Sequence, residues 1–237
     1  PFDADITEAV QPGKEQCLAV RVTNPGGNFH WQDFNEMYWG KYQIPPGRSF
    51  GGIIGRVRLD AVSPVYVSDI YMQNQPERTK VKAILTVNNT SAKTEKQDIY
   101  FSVYEKENPG KVILEKKLPR VALKQGTNVV TMELHCPEAR IWDLDTPYLY
   151  VCGVDVKSGK KLSDRAVQTF GFRWFEPVGI GKDAMLRLNG RRVMLRTAIS
   201  WGYWPATGLY ATPEMAEKQV SVAKSMGLNM LNFHRSI

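Results

Sequence analysis

Few side chains in this sequence are suited to chemistry, and their spacing narrows what that chemistry could be. Three histidines (His30, His135 and His234) are scattered over 237 residues, and three cysteines (Cys17, Cys136 and Cys152) form no Cys-x-x-Cys pair. Zinc sites and disulfide frameworks both depend on recurring short spacings, so the pattern implies free thiols and no metal centre. An aromatic cluster, Trp201, Tyr203 and Trp204, lies between polar and turn residues, with Gly202 inside it and Pro205 after it. Flat rings with a polar edge either stack on the C–H face of a ligand such as a pyranose or pack between domains. Trp31, Tyr38, Trp39 and Tyr42 pose the same choice and read as packing residues. A last polar group, Asn232, His234 and Arg235, lies at the end of a short apolar run.

The elements that would position these groups are mostly short strands. Leu18-Ala19-Val20-Arg21-Val22 alternates between turn signals, as does Gly55-Arg56-Val57-Arg58-Leu59, and residues 65–72 form another strand candidate. Gln73-Asn74-Gln75-Pro76-Glu77 then breaks the pattern and marks a domain boundary. Beyond it, Val81, Ala83, Leu85 and Val87 share one face, and 99–103, 112–114, 126–134 and 148–156 follow with turns between. Six or seven strands over about 95 residues suggest an immunoglobulin-like sandwich. In its late corner, Trp142 to Tyr150, a tyrosine can bond back to the upstream backbone.

After residue 177 the texture changes. Residues 185–188 and 193–195 flank Asn189-Gly190, a strong hairpin signal. Thr212, Pro213 and Glu214 open a helix as N-cap, first helical residue and first-turn acid. Ala216, Val220 and Ala223 share its apolar face, Gly227 caps its end, and residues 228–233 read as a buried strand. One helix and one strand cannot bury their own faces, so they read as the opening of an α/β unit. The fold class expected is therefore mainly β, with this unit following.

Composition excludes several classes. Hydrophobic residues make up 43% and charged residues 23%, so the chain as a whole is neither disordered nor fibrous. No run approaches the roughly 18 apolar residues of a membrane span. The first residues carry no secretory leader, and an opening of Pro-Phe in place of Met reads as a chain cut from a longer one. The net charge of +7 is interspersed with acids and forms no block of like charges, which argues against a nucleic-acid partner.

Five motifs in order resemble glycoside hydrolase family 2, the family of β-galactosidases, β-glucuronidases and β-mannosidases. Leu188-Asn189-Gly190-Arg191-Arg192-Val193-Met194-Leu195-Arg196, Pro205, Gly208 and Asn229 to His234 are similar to the opening of that family's catalytic barrel. Phe170-Gly171-Phe172-Arg173 resembles the strand that leaves its immunoglobulin-like domain, and Trp142 with Pro147-Tyr148-Leu149-Tyr150 resembles that domain's late corner. Pro1-Phe2, Asp5-Ile6-Thr7, Pro12-Gly13, Gly51-Gly52-Ile53 and Val57-Arg58-Leu59 resemble the second half of its jelly-roll. The resemblance implies three domains: 1–73, part of a jelly-roll; 74–175, an immunoglobulin-like sandwich; and 176–237, the first helix and strand of a truncated (β/α)8 barrel.

The family's chemistry implies retaining hydrolysis by two glutamates about 5–5.5 Å apart. Both are expected beyond Ile237, so no catalytic residue is assigned and the chain alone is expected to be inactive. Asn35-Glu36 imitates the family's acid/base pair but falls in the jelly-roll. Two departures leave the sugar open: Asn232 replaces an arginine with His234 one place early, and Ile199 and Trp201 replace an Asn and a His. The resemblance implies substrate contacts for His234, Arg235, Asn232, Trp201 and Trp204, with Arg173 tying two domains together through a salt bridge. It implies an oligosaccharide or β-glycoside substrate, no cofactor, possible self-association through the cut domains, and export to a periplasm or surface. A non-catalytic carbohydrate-binding or adhesion sandwich is the alternative, although such a module has no use for the capped helix and strand at the end. Overlapping Asn-x-Thr/Ser sequons at Asn88 and Asn89 are short enough to arise by chance.

Overall fold

The structure, a computed structural model, describes residues 4–22, 53, 57–200 and 212–233. Contacts divide the chain into two units. One comprises Pro1–Arg58, Ile199–Val222 and Asn232–Ile237, and the other Leu59–Ala198 and Ala223–Leu231. Among the described residues the architecture is mainly β, with a single helix.

Seven antiparallel strands make the sandwich: β1 (Val65–Asn74), β2 (Lys80–Asn89), β3 (Glu95–Glu105), β4 (Val112–Leu123), β5 (Gly126–His135), β6 (Tyr150–Ser158) and β7 (Lys161–Phe170). They form a three-stranded sheet, β1-β2-β5, and a four-stranded sheet, β4-β3-β6-β7. The chain crosses between sheets after β2, β4 and β5, the Greek-key connectivity of an immunoglobulin-like fold.

A period of two drives this packing. Val81 is 1% exposed, and Ala83, Leu85 and Val87 are fully enclosed. Ile99, Phe101 and Val103 face them from β3, and Tyr150, Cys152, Val154 and Val156 from β6. The intervening residues of β2 and β3 are only half-buried or exposed. Cys136 and Cys152 belong to this core, and burial pushes their thiols up to about 11 and about 12. Cys17 is exposed and also free.

At the end of β2 the inward residue is Asn89, and its amide is fully satisfied. Its Nδ2 donates to the carbonyls of Lys93 and Leu123, each at 2.9 Å. Its Oδ1 accepts from the Ser91 backbone N–H at 2.9 Å and the Ser91 hydroxyl at 2.6 Å. A buried polar group is tolerated only when so paired. The Asn89 sequon is thus a structural clasp, closed to modification in the folded chain.

Beyond the sandwich, β8 (Phe175–Val178), β9 (Met185–Leu188) and β10 (Arg191–Arg192) form a small antiparallel sheet. Strand β11 (Thr197–Ser200) pairs with β12 (Met230–Phe233), and helix α1 (Pro213–Ser225) lies between them in sequence. The helix begins as its sequence dictates, with the Met215 backbone N–H donating to the Thr212 hydroxyl at 3.3 Å. It ends where Gly227, at φ 74°, lets its own N–H reach Lys224 O and that of Leu228 reach Ala223 O.

Four expectations are corrected. Residues 73–77 lie within a hairpin, Gln73 and Asn74 ending β1 and the rest entering its turn, and are not a domain boundary, because β1 pairs with β2 from Val65↔Asn89 to Asn74↔Val81. Pro76 and the polar residues around it turn the chain without ending the sheet. Leu18, Val20 and Val22 are 61%, 48% and 48% exposed and lie in no strand, and neither do Val57 and Leu59. Alternation without a neighbouring strand to pair with forms no sheet. Residues 228–232 are not buried: Met230 and Asn232 are exposed, because β12 has only β11 beside it among the described residues. Val220 is half exposed, although Ala216 and Ala223 of the same helical face are covered.

Replacing Asn89 by alanine should strip the bonds its amide makes to the Ser91 N–H and to the buried Leu123 carbonyl and destabilise the sandwich by about 2–3 kcal/mol. Asn89→Asp should cost at least as much at pH 7, since a carboxylate has no donor for those carbonyls. Urea unfolding midpoints of the two variants would check this.

Candidate functional site

Where the sandwich hands the chain to the β8-β9-β10 sheet, aromatic contacts and side-chain hydrogen bonds converge. Tyr150, 1% exposed at the start of β6, lies 5.3 Å from Phe172 in an edge-on contact, and Phe170 meets Phe172 at 5.0 Å. Tyr148 lies 5.3 Å from Tyr150 on the other side. Such tilted pairs are favourable beyond the area they bury. The Tyr150 hydroxyl accepts the Arg140 backbone N–H at 2.8 Å, the return bond expected of this corner.

Trp142 closes the corner from above. Its N–H donates to Phe172 O at 3.0 Å. A Cβ on Gly171 would sit 3.0 to 3.2 Å from three atoms of the Trp142 side chain, so the close approach requires glycine. Asn74, the last residue of β1, donates to Gly171 O at 3.0 Å and accepts the Arg173 N–H at 3.3 Å. The Arg173 guanidinium lies 4.4 Å above the Trp142 ring.

Asn189 joins this corner to the hairpin. It adopts φ 53° and is 9% exposed. Its backbone N–H donates to Trp174 O at 2.9 Å, its Oδ1 accepts the Trp174 N–H at 3.1 Å, and its Nδ2 donates to Trp142 O at 2.7 Å. Asparagine tolerates the left-handed region better than other side chains, and here its amide also bridges two segments. Gly190 follows at φ 79°, completing a two-residue turn of the primed type, and the Arg187 guanidinium donates to its carbonyl at 2.6 Å.

A charged cluster flanks the corner. Glu105, 7% exposed, accepts from Lys111 Nζ at 2.6 Å. That bond, then one from the Tyr148 hydroxyl, holds its carboxyl below the ordinary 4.5. The Tyr148 hydroxyl is pushed up in turn by the same carboxylate. Arg140 lies 5.0 Å over the Tyr148 ring.

None of this is catalytic machinery. Among the described residues no group of three His, Cys, Asp or Glu could hold a metal, and no helix is long and apolar enough to cross a membrane. Of the expected substrate contacts, Asn232 lies exposed in β12. Trp201, Trp204, His234 and Arg235 lie outside the described residues, as do Trp31, Tyr38, Trp39, Tyr42 and Asn35-Glu36. The expected salt bridge of Arg173 is replaced by its stack on Trp142, with no ion pair to it among the described residues. Asn74, Glu105 and the bridging amide of Asn189 were missed. The Asn-Gly dipeptide announced the turn, but nothing in the sequence announced where its amide would reach.

Comparison with known proteins bears on this region directly, because residues 65–173 match the profile described as glycosyl hydrolases family 2. That match covers a little less than half of the chain. A β-glucuronidase of Formosa agariphila is 25% identical over 86% of this chain and 21% of its own length. The β-galactosidase BoGH2A of Bacteroides ovatus is 24% identical over 96% of this chain and 25% of its own. This chain thus spans about a fifth to a quarter of those relatives. Among solved structures, a family-2 member from Bacteroides cellulosilyticus superposes with a TM-score of 0.64 at 20% identity, covering 74% of this chain and 23% of that one. At that identity the likeness is one of fold. The family-2 match begins at Val65, where β1 begins, and ends at Arg173, on the stack against Trp142.

The Glu105 cluster has a pH signature. A carboxyl held low in the folded state stabilises the fold above its ordinary 4.5, and that contribution is lost as pH falls through the lowered value. Glu105→Gln should therefore melt below the wild type at pH 7, with the difference closing as pH drops toward 3. A gap in Tm unchanged between pH 7 and pH 3 would show that the pair with Lys111 contributes nothing.

Proposed function

We propose that this chain is the bracing segment of an enzyme that hydrolyses β-glycosides. In that enzyme a sandwich and hairpin hold the mouth of a barrel carrying two catalytic glutamates. The observation that supports this most is the Asn189 bridge, which fixes the hairpin preceding the α/β unit onto the sandwich corner through Trp142 and Trp174. A freestanding adhesion sandwich has no need to grip the segment after it. The relatives named as β-glucuronidase and β-galactosidase support the substrate class, a β-linked glucuronide or galactoside.

The chemistry proposed for the whole enzyme is retaining double displacement, with one glutamate as acid/base and the other as nucleophile about 5–5.5 Å away. Neither is assigned within these residues. The groups proposed here to approach the sugar are His234, Arg235 and Asn232 at the end of β12, with Trp201 and Trp204 stacking on its C–H faces. The domain reading becomes a sandwich from Val65 to about residue 175, with jelly-roll residues before it and barrel residues from about 176.

The purified chain should release no nitrophenol from nitrophenyl β-glucuronide or β-galactoside. A product of the same gene extended through a full barrel should release it from one of the two and retain anomeric configuration by NMR. Turnover by the short chain that survives rigorous purification would place the catalytic groups inside it and overturn this reading.

A further inference from the structure

A sheet edge left open is a template for another strand, and folded proteins protect their edges with bulges, prolines, charges or covering segments. Three of the four outer strands of the sandwich are protected in these ways. Strand β1 bulges between Val67 and Asp69, and the outward Val67 N–H is taken by the Asp164 carboxylate at 2.7 Å. That bond also covers β7, which packs against β1. Strand β4 contains Pro119, carries Glu115, Lys116, Lys117 and Arg120, and has Arg120 at φ 52°. Its ladder with β3 is interrupted twice.

Strand β5 has none of these devices. It runs ten residues without a proline, and its pairing with β2 is continuous from Gly126↔Asn89 to His135↔Lys80. Glu133 is its only formally charged residue. Among the described residues it pairs with β2 alone. Val129 on its outer face is 67% exposed, and Thr131 beside it is exposed.

We infer that the edge of β5, unpaired among the described residues, pairs antiparallel with β5 of a second copy of this chain, about a two-fold axis through Thr131. This register sets Thr131 against Thr131, Val129 against Glu133 and Val130 against Met132, so no like charges oppose. On the outer face, Tyr71, Ile84 and Thr131 already stand side by side across β1, β2 and β5. The two-fold continues that row into its mirror order on the partner, and Thr–Thr and apolar cross-strand pairs of this kind are favourable. A row of β-branched and aromatic side chains with Val129 alongside suits another strand of the same composition. Glu133 already stands across from Lys82 of β2, so an acidic or basic partner would find no run of complementary charge there. One edge is small beside an ordinary protein interface, so the dimer is reversible and concentration-dependent. The inference does not depend on the enzymatic reading, since it rests on the sandwich alone.

Sedimentation velocity of the 237-residue chain over a concentration series tests it. The wild type should move toward twice the monomer mass as concentration rises. Thr131→Lys and Thr131→Glu each place like charges on the axis and should weaken association at least about tenfold. An equimolar mixture of the two should restore it. Hydrogen exchange on the wild type reads the same edge without a variant: amides within residues 127–133 should gain protection with concentration. A wild type that stays monomeric, single variants that still dimerise, or β5 amides indifferent to concentration would each overturn the proposal.

Discussion

The side-chain amide of Asn189 is the contact on which the described C-terminal half of the chain turns. Its donor and acceptor are both used, one on Trp142 of the sandwich corner and one on Trp174 of the outgoing strand. Both bonds form in a half-desolvated setting, where leaving either partner alone would carry the full cost of an unmade hydrogen bond. The left-handed backbone at Asn189 is what aims the amide backward. A residue that refused φ 53° would lose the turn and the bridge together. Turn formation and attachment of the sheet to the sandwich are thus one event.

That bridge holds only because Trp142 is itself fixed. Its backbone N–H donates to Phe172 O, while its indole presses on Gly171 and is covered by Arg173. Phe172 is held by Tyr150 and Phe170, whose rings belong to the same core as Val154 and Leu85. The chain of contact therefore runs without a break from the centre of the sandwich to the hairpin. Interiors packed at this density transmit displacement more readily than they absorb it.

Elements whose signal is purely local were legible in the sequence. Val81 to Val87 announced their face by alternation alone, Asn189-Gly190 announced its turn, and Thr212-Pro213-Glu214 and Gly227 announced both ends of the helix. The order of motifs from Phe170 to Arg196 gave the family resemblance. What failed was partnership. Leu18 to Val22 has the composition of a strand and no neighbour to pair with, while residues 73–77 have the composition of a linker and lie within a hairpin. Arg173 was expected to find an acid, and among the described residues it meets a ring, a contact that depends on Trp142 being folded back from about thirty residues earlier. Of the proposed sugar contacts only Asn232 falls within the described structure, and a strand-end position in sequence does not tell which way its side chain will face.

Charge and aromatic character work together on the outer face of the four-stranded sheet as well. Tyr100 is approached by Lys117 at 4.9 Å and Lys157 at 4.7 Å from the strands on either side. Each lysine is also paired with an acid, Lys117 with Asp98 and Lys157 with Asp155. Two ammonium groups on one ring would repel each other if they stood alone. The carboxylates offset that repulsion, and their own protonation is held low, Asp98 chiefly by Lys117 and Asp155 chiefly by Arg165 and then by Lys157. Arg165 adds a bidentate pair to Asp155, with bonds of 2.6 and 2.8 Å. The result is a network of paired charges crossing all four strands, in which each named cation already has a carboxylate beside it. The net positive charge of the chain is therefore not expressed here, and association through this sheet would first have to break pairs already made. The three-stranded sheet, whose outer edge carries one acid in ten residues, has no such barrier. The contrast between the two faces comes from where the sequence placed its lysines and aspartates: paired across β3, β4, β6 and β7, and nearly absent from β5.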